Sequence, residues 1–359
     1  MAYGTRGWEH GTGGRAWPVD RRSTMTSRSG NHVSAGSLPD SPVVRSVVHD
    51  ARARFRSISD GHTSTVYPAL EQADPELFGI CVADVDGRTI TVGDADVPFP
   101  LMSVAKPFAF ALVGDATGHD AVRDRLGVNA TGLPFNSVEA IERNHDGRTN
   151  PMVNPGAIAT VSLLDGPDPA TRWETLRSGL SRFAGRDLEL DVDTYASATA
   201  TNQRNRAIAQ LLSSLGALRH DPVETLDPYT RQRCLAVTAR DLAVMGATLA
   251  DGGVNPLTRV QVVRADSCRY ALTVMATAGL YETSGDWLYR VGLPGKSGIG
   301  GGIVTVSPGK GGLGTFSPPL EHAGNSVRGH LVAAYLSARL GLDIFASAPA
   351  RASVAEPHN

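Results

Sequence analysis

Residues 292–303 read GLPGKSGIGGGI, a glycine-dense run around the pair Lys296-Ser297, and the run separates two fold classes. A phosphate-cradling P-loop needs glycine five residues before Gly295, and that position is Arg290. A dinucleotide fingerprint, G-x-G-x-x-G, started at Gly298 or at Gly300 ends on Ile303 or Thr305. Both phosphate folds are excluded, and the Lys-Ser pair calls for a different explanation.

Strand signals continue outward from it. GIVTVS, the turn Pro308-Gly309-Lys310-Gly311 and GLGTFS form a hairpin. Far upstream, LFGICVADVDGRTITVGD carries Asp86-Gly87 at its centre, predicting a second hairpin with strands near 78–85 and 88–92. Between them AKPFAFALVGDA, TLRSGLSRFAG, NRAIAQLLSSLGA and ARDLAVMGATLADGG are apolar at helical spacing. A first helix is expected over about 45–58, with Val44, Val47, Val48 and Ala51 on one face. The last helix aligns Leu331, Val332, Tyr335, Leu336 and Leu340, and Gly341 follows as its C-cap. Hairpins in place of β-α-β crossovers predict an antiparallel sheet flanked by helices, with an inserted, mostly helical lobe: an α/β chain of the α+β kind.

At 359 residues with a net charge of −2, the chain can bury a large core and has no global charge bias toward nucleic acid or an anionic membrane. No apolar run is long enough to span a bilayer. Arg21-Arg22 is followed by no apolar segment, so it is not read as an export signal. Cys81, Cys234 and Cys268 form no C-x-x-C pair and fit a reduced, cytoplasmic setting. The histidines make no zinc motif, so no metal is expected.

Lysine occurs only at positions 106, 296 and 310. Lysine, unlike arginine, can lose its proton and act as a base. PFPLMSVAKP contains Ser103-x-x-Lys106; with Ser103 as N-cap, Lys106 lies in the first turn over the serine hydroxyl, and desolvation there favours a neutral amine. S-x-x-K alone is a weak signal, for Ser307-Pro-Gly-Lys310 matches it too and reads as a solvated turn. The partner motif is Lys296-Ser297-Gly298. In serine acyl-transfer enzymes such a strand edges the cleft of an S-x-x-K helix, where the N–H groups of Ile299 and Ser103 would face an oxyanion.

With these motifs in place, the chain resembles the serine-dependent, bacterial-type glutaminases, whose fold is that of β-lactamases and penicillin-binding proteins (transpeptidases). The resemblance runs from about residue 60 to 345 through LFGICVADVDGRTITVGD, PLMSVAKPF, GLPFNSVEAIE, RTNPMVNPGAIAT, NQRNRAIAQLL, DPYTRQRCLAVTARDLAVMGATLADGG, GLYETSGDWLYRVGLPGKSGIGGGIVTVSPG and GNSVRG. It implies that Ser103 is the acylated nucleophile and also contacts substrate, that Lys106 is its base, and that Tyr229 relays a proton to the leaving ammonia. It further implies Asn154, Asn205, Tyr229, Tyr281 and the Ile299 backbone as substrate-binding groups, with Lys296 and Ser297 supplying charge and hydroxyl. Alone, each asparagine would read as a capping or loop residue, and Tyr229 as a packed core tyrosine.

The departures from the family pattern are specific. Ala198 stands where the family carries a glutamate for the amino-acid end of glutamine; Met102 replaces a polar residue before the nucleophile; Pro155 follows Asn154; and Asn129-Ala130 replaces Pro-Ser. The expected activity is hydrolysis of L-glutamine to glutamate and ammonia, with no cofactor, no nucleic-acid or membrane partner, and a homo-oligomer, dimer or tetramer, in the cytoplasm. A serine amidohydrolase for another amide, a β-lactam or peptidoglycan enzyme, and a non-catalytic paralogue stay open as alternatives. The expected organisation is a disordered basic tail over 1–44, a catalytic domain over 45–349, and a second tail over 350–359. Within the domain the sheet lobe covers about 45–102 and 265–349, and the helical lobe about 103–264.

Overall fold

The computed structural model describes residues 36–347, so most of the first tail and all of the second lie outside the described residues. Seven strands occur there: β1 Gly79–Asp84, β2 Thr89–Gly93, β3 Phe99–Pro100, β4 Ala236–Val237, β5 Gly295–Ser297, β6 Gly302–Ser307 and β7 Gly311–Phe316. Five make one sheet, ordered β2-β1-β7-β6-β5, with every pairing antiparallel. Both expected hairpins form. The β1–β2 turn is built on the Asp84 carboxylate, which accepts the Asp86 and Arg88 N–H groups at 3.0 and 2.8 Å, with Gly87 at φ +93°. The β1–β7 pairing joins the two hairpins across more than 200 residues of chain, Val82 opposite Leu313.

Strand alternation gives the sheet two different faces. Ile80, Val82, Ile303 and Leu313 pack with Val44, Val48, Val332 and Leu336 from the helices Ser41–Phe55 and Val327–Leu340. Cys81 and Ala83 instead meet Ala243, Val244 and Ala247 of the helix Ala239–Ala250. That helix lies directly on the strands because β7 places Gly312 and Gly314 beneath it. A Cβ on Gly314 would stand 2.0 Å from the Ala239 carbonyl oxygen, and one on Gly312 2.2 Å from that of Ala243. Ala239–Ala250, read from sequence as part of the helical lobe, therefore belongs to the sheet's packing, an allocation made by small residues on both partners.

Two further details depart from expectation. The first helix begins at Ser41, with Pro42 in its opening turn, where a fixed φ and a missing N–H cost nothing; residues 41–44 are thus helix and not tail. On the last helix Leu331 and Tyr335 are only half-buried, while Gly341, at φ +64°, caps it as expected. The helical part is centred on Ala105–Thr117, apolar on nearly every side, which packs among Asn154–Ser162, Pro169–Ala184 and Ala265–Ala278.

Candidate active site

The residues around Ser103 are positioned by one short pairing. β3 pairs with β4, and the Leu101 N–H donates to the Leu235 carbonyl at 2.9 Å. This ties the turn carrying Ser103 to the C-terminal end of the helix Pro222–Arg233. Ser103 is not the expected N-cap. It sits inside a 3₁₀ turn, Met102–Val104, and the α-helix starts at Ala105 with no side-chain cap. Met102 enters that turn at φ +48°, a left-handed conformation costing a residue with a Cβ about 1 kcal/mol. The serine hydroxyl is thereby spared from capping and is aimed at the lysine.

Lys106 Nζ lies 3.2 Å from Ser103 Oγ and 2.8 Å from Asn154 Oδ1, with both partners buried. Burial first, then the charges of Lys296 and Arg233, hold the Lys106 ammonium well below its usual pKa. Among the described residues no carboxylate opposes this. Asn154 heads a one-way chain: its Nδ2 donates to Asn205 Oδ1 at 3.0 Å, Asn205 Nδ2 to Asn202 Oδ1 at 2.7 Å, and Asn202 Nδ2 to Thr230 Oγ1 at 3.0 Å. Each amide is oriented by the next, so the oxygen of Asn154 must face the lysine. Pro155 is harmless in the first turn of the helix Asn154–Ser162.

The β5 side brings Lys296, Ser297 and Tyr281 together. The Tyr281 hydroxyl lies between Ser103 and the Ser297 carbonyl, the latter at 3.3 Å, and burial pushes its pKa up against those hydrogen bonds. Lys296 Nζ donates to the Ser297 carbonyl at 2.7 Å and lies 4.2 Å from the centre of the Tyr281 ring; burial lowers its pKa as well. Ser297 Oγ donates to Asn325 Oδ1 at 2.5 Å. Gly298 has no room for a side chain beyond contact: a Cβ there would meet the Leu101 oxygen, Met102 Cβ and Val104 Cγ2, each at 3.2 Å. Ile299 is therefore seated beside the Ser103 turn. Among the described residues, neither the Ile299 N–H nor the Ser103 N–H has an intramolecular acceptor.

Tyr229 is fully buried, its hydroxyl has no partner among the described residues, and burial raises its pKa. Its ring lies 5.4 Å from the Arg233 guanidinium, which also lies 5.3 Å from the Tyr67 ring and donates to the Tyr67 hydroxyl at 2.7 Å. Ala198 is buried in a cluster with Tyr67, Met102, Cys234 and Ile299. The second S-x-x-K copy is elsewhere. Lys310 is part-buried and donates to the Gly341 carbonyl at 3.3 Å, at the C-terminus of the last helix, so it is a helix-end cation and not a freely solvated turn lysine.

Every sequence-predicted site residue thus lies in or against one buried constellation. Sequence reasoning missed Tyr67, Arg233, Phe135, whose ring is 4.7 Å from that of Tyr281, and Asn325. Arg233 and Asn325 stand inside the motifs DPYTRQRC and GNSVRG, but no local pattern marks which letter of a motif points inward. Among the described residues no group of His, Cys, Asp or Glu is placed to hold a metal ion.

The glutaminase family model matches residues 61–345. Glutaminase 2 of Yersinia pestis is 60% identical over 319 residues, 89% of this chain and 94% of that protein. A glutaminase of Colwellia psychrerythraea is 46% identical over 307 residues, 86% of this chain and 99% of its own. Among solved structures, a probable glutaminase, ybaS, superposes with a TM-score of 0.84 at 42% identity, covering 86% of this chain and 100% of that one. Mglu in its glutamate form superposes with a TM-score of 0.78 at 37% identity, covering 86% and 72%. The antiparallel sheet flanked by helices is the β-lactamase-like fold the resemblance implied, and the chain belongs to the glutaminase family.

Proposed function

We propose that this protein hydrolyses the side-chain amide of L-glutamine to L-glutamate and ammonia through an acyl-enzyme on Ser103. One observation carries the reading: a serine hydroxyl 3.2 Å from a buried lysine amine whose pKa desolvation and neighbouring cations hold well below its usual value. Ser103 Oγ attacks the amide carbon and its proton passes to Lys106 Nζ. The carbonyl oxygen takes up the negative charge facing the Ser103 and Ile299 N–H groups, a pair of donors whose individual removal typically costs about 3 kcal/mol of transition-state stabilisation. The leaving nitrogen takes a proton relayed from Lys106, for which the unpartnered Tyr229 hydroxyl is available, and departs as ammonia. Water then attacks the ester, Lys106 accepts its proton, and Ser103 is restored. Asn205 and Tyr281 bound the substrate's polar end, and Ser297 with Lys296 holds the cleft edge.

Among the described residues no helix is long and apolar enough to cross a membrane. The reading includes a cytoplasmic location, in keeping with three buried free thiols. It also includes a homo-oligomer, in keeping with Tyr289, Ile344 and Phe345, all exposed. The decisive experiment measures ammonia release from L-glutamine by the purified protein and by Ser103→Ala. Equal rates for the two would end the mechanism.

A further inference from the structure

Arg233 is a buried cation without an anion. Its Nη2 donates to the Tyr67 hydroxyl, while Nε and Nη1 are buried with no acceptor among the described residues. The contrast within the same fold is direct: Arg172, equally buried, is paired with Glu224 at 2.7 Å. Arg233 enters no ion pair among the described residues. A guanidinium remains charged at any accessible pH, and its fork of donors matches a carboxylate. A buried charge of this kind is ordinarily paired, so the free face of Arg233 asks for an anion from outside the chain.

Its place in the fold says which anion. The Leu101 N–H to Leu235 carbonyl bond sets the residue two positions before Ser103 against the residue two positions after Arg233. Tyr67, which Arg233 contacts, belongs to one cluster with Met102, Ala198 and Ile299. The charge of Arg233 is felt at both Lys106 and Tyr281. This constellation holds Lys106, Lys296 and Arg233, and none of Ser103, Asn154, Asn205, Tyr67, Tyr229, Tyr281 or Ala198 is an acid. Its one cation that keeps its charge at any accessible pH is Arg233, and the acid at its β5 edge, Glu321, is already engaged by the Asn325 side-chain amide at 2.7 Å.

Resting on the amidohydrolase reading above, we propose that Arg233 is the specificity-determining receptor for the substrate's carboxylate, so that the site selects ω-carboxamides of dicarboxylic acids by that anion and gains nothing from an α-ammonium group. L-Glutamine fits as one such amide. Its deaminated counterpart, glutaramate, the monoamide of glutaric acid, fits without leaving a cation beside Arg233. Butanamide, which has neither charged group, lacks the recognised feature.

The test compares these three amides as substrates of the full-length protein, by ammonia release. The expected kcat/KM for glutaramate equals or exceeds that for L-glutamine, and butanamide falls below glutaramate by about 100-fold, the size of a charged hydrogen-bonded pair. Arg233→Lys, which keeps the charge and loses the fork, raises KM for glutaramate about tenfold with kcat little changed. Ala198→Glu shifts the preference toward L-glutamine by about tenfold, since an acid then faces the ammonium. A tenfold preference of the wild type for L-glutamine overturns the claim about the ammonium, and butanamide turning over as well as glutaramate overturns the role of Arg233. Both results are read on the wild type, so neither depends on a variant folding. Release from none of the three removes the amidohydrolase reading itself, and the proposal with it.

Discussion

Asn154 Oδ1 stands 2.8 Å from Lys106 Nζ, so the base of the site is aimed by a neutral amide and not by a carboxylate. The distinction matters because a carboxylate would orient the lysine equally well and would also keep it protonated.

Asn154→Asp separates those two effects. Only neutral Lys106 accepts the Ser103 proton, so activity rises with pH as the lysine loses its proton at its lowered pKa. A carboxylate at 154 raises that pKa by roughly 1–3 units and moves the rise to higher pH. The expected result is a kcat/KM at neutral pH about 100-fold lower, recovering toward alkaline pH. An unshifted pH profile would count against Lys106 as the base.

Lys106→Met carries a stability prediction with a defined sign. The folded-state pKa lies below the ordinary 10.5, so over that interval the unfolded chain binds the extra proton and stability rises with pH. The lysine's cost to stability is therefore greatest at low pH and fades as pH climbs toward 10.5. Lys106→Met removes activity and raises Tm, with the gain shrinking at alkaline pH; thermal unfolding scans across pH check it.

Tyr229→Phe deletes a hydroxyl that has no partner in a fully buried site. Stability should stay level or rise by up to about 1 kcal/mol, because no hydrogen bond is lost and a desolvated polar atom is removed. Activity should fall by roughly 10²-fold if the hydroxyl passes a proton to ammonia. Denaturant titration beside steady-state kinetics separates the two readouts, and unchanged kcat would leave Tyr229 as packing alone.

Gly314→Ala tests the seat of the sheet-covering helix. The new Cβ would stand 2.0 Å from the Ala239 carbonyl oxygen and 2.7 Å from the Ala243 nitrogen, backbone atoms that cannot rotate away. The helix must lift, at a cost of about 2–3 kcal/mol. Equilibrium unfolding in urea measures it, with a lower midpoint and an unchanged slope expected.

Much of this molecule is legible in its letters. Asp86-Gly87 and Pro308-Gly309 mark both hairpins because turn chemistry is local, and Gly341 ends the last helix for the same reason. Ser103, Lys106, Lys296 and Ser297 are legible as two motifs, since each pair is close in sequence. Arg233 is invisible in sequence because nothing local distinguishes it from the adjacent helix arginine Arg231, which pairs with Asp227 at 2.9 Å.

Sequence by itself determined the elements, their order, and the residue types brought to the cleft, through periodicity and turn preferences acting over a few residues. Tertiary structure alone decided three things. It laid Ala239–Ala250 on the glycines of β7, it linked three amides and a threonine hydroxyl from three separate segments into one hydrogen-bonded chain ending on Lys106, and it left a buried arginine beside Tyr67 and Tyr229 without an acid partner among the described residues. Each of these depends on which distant surfaces pack together, and packing is set by the complementarity of whole faces, which no local pattern records.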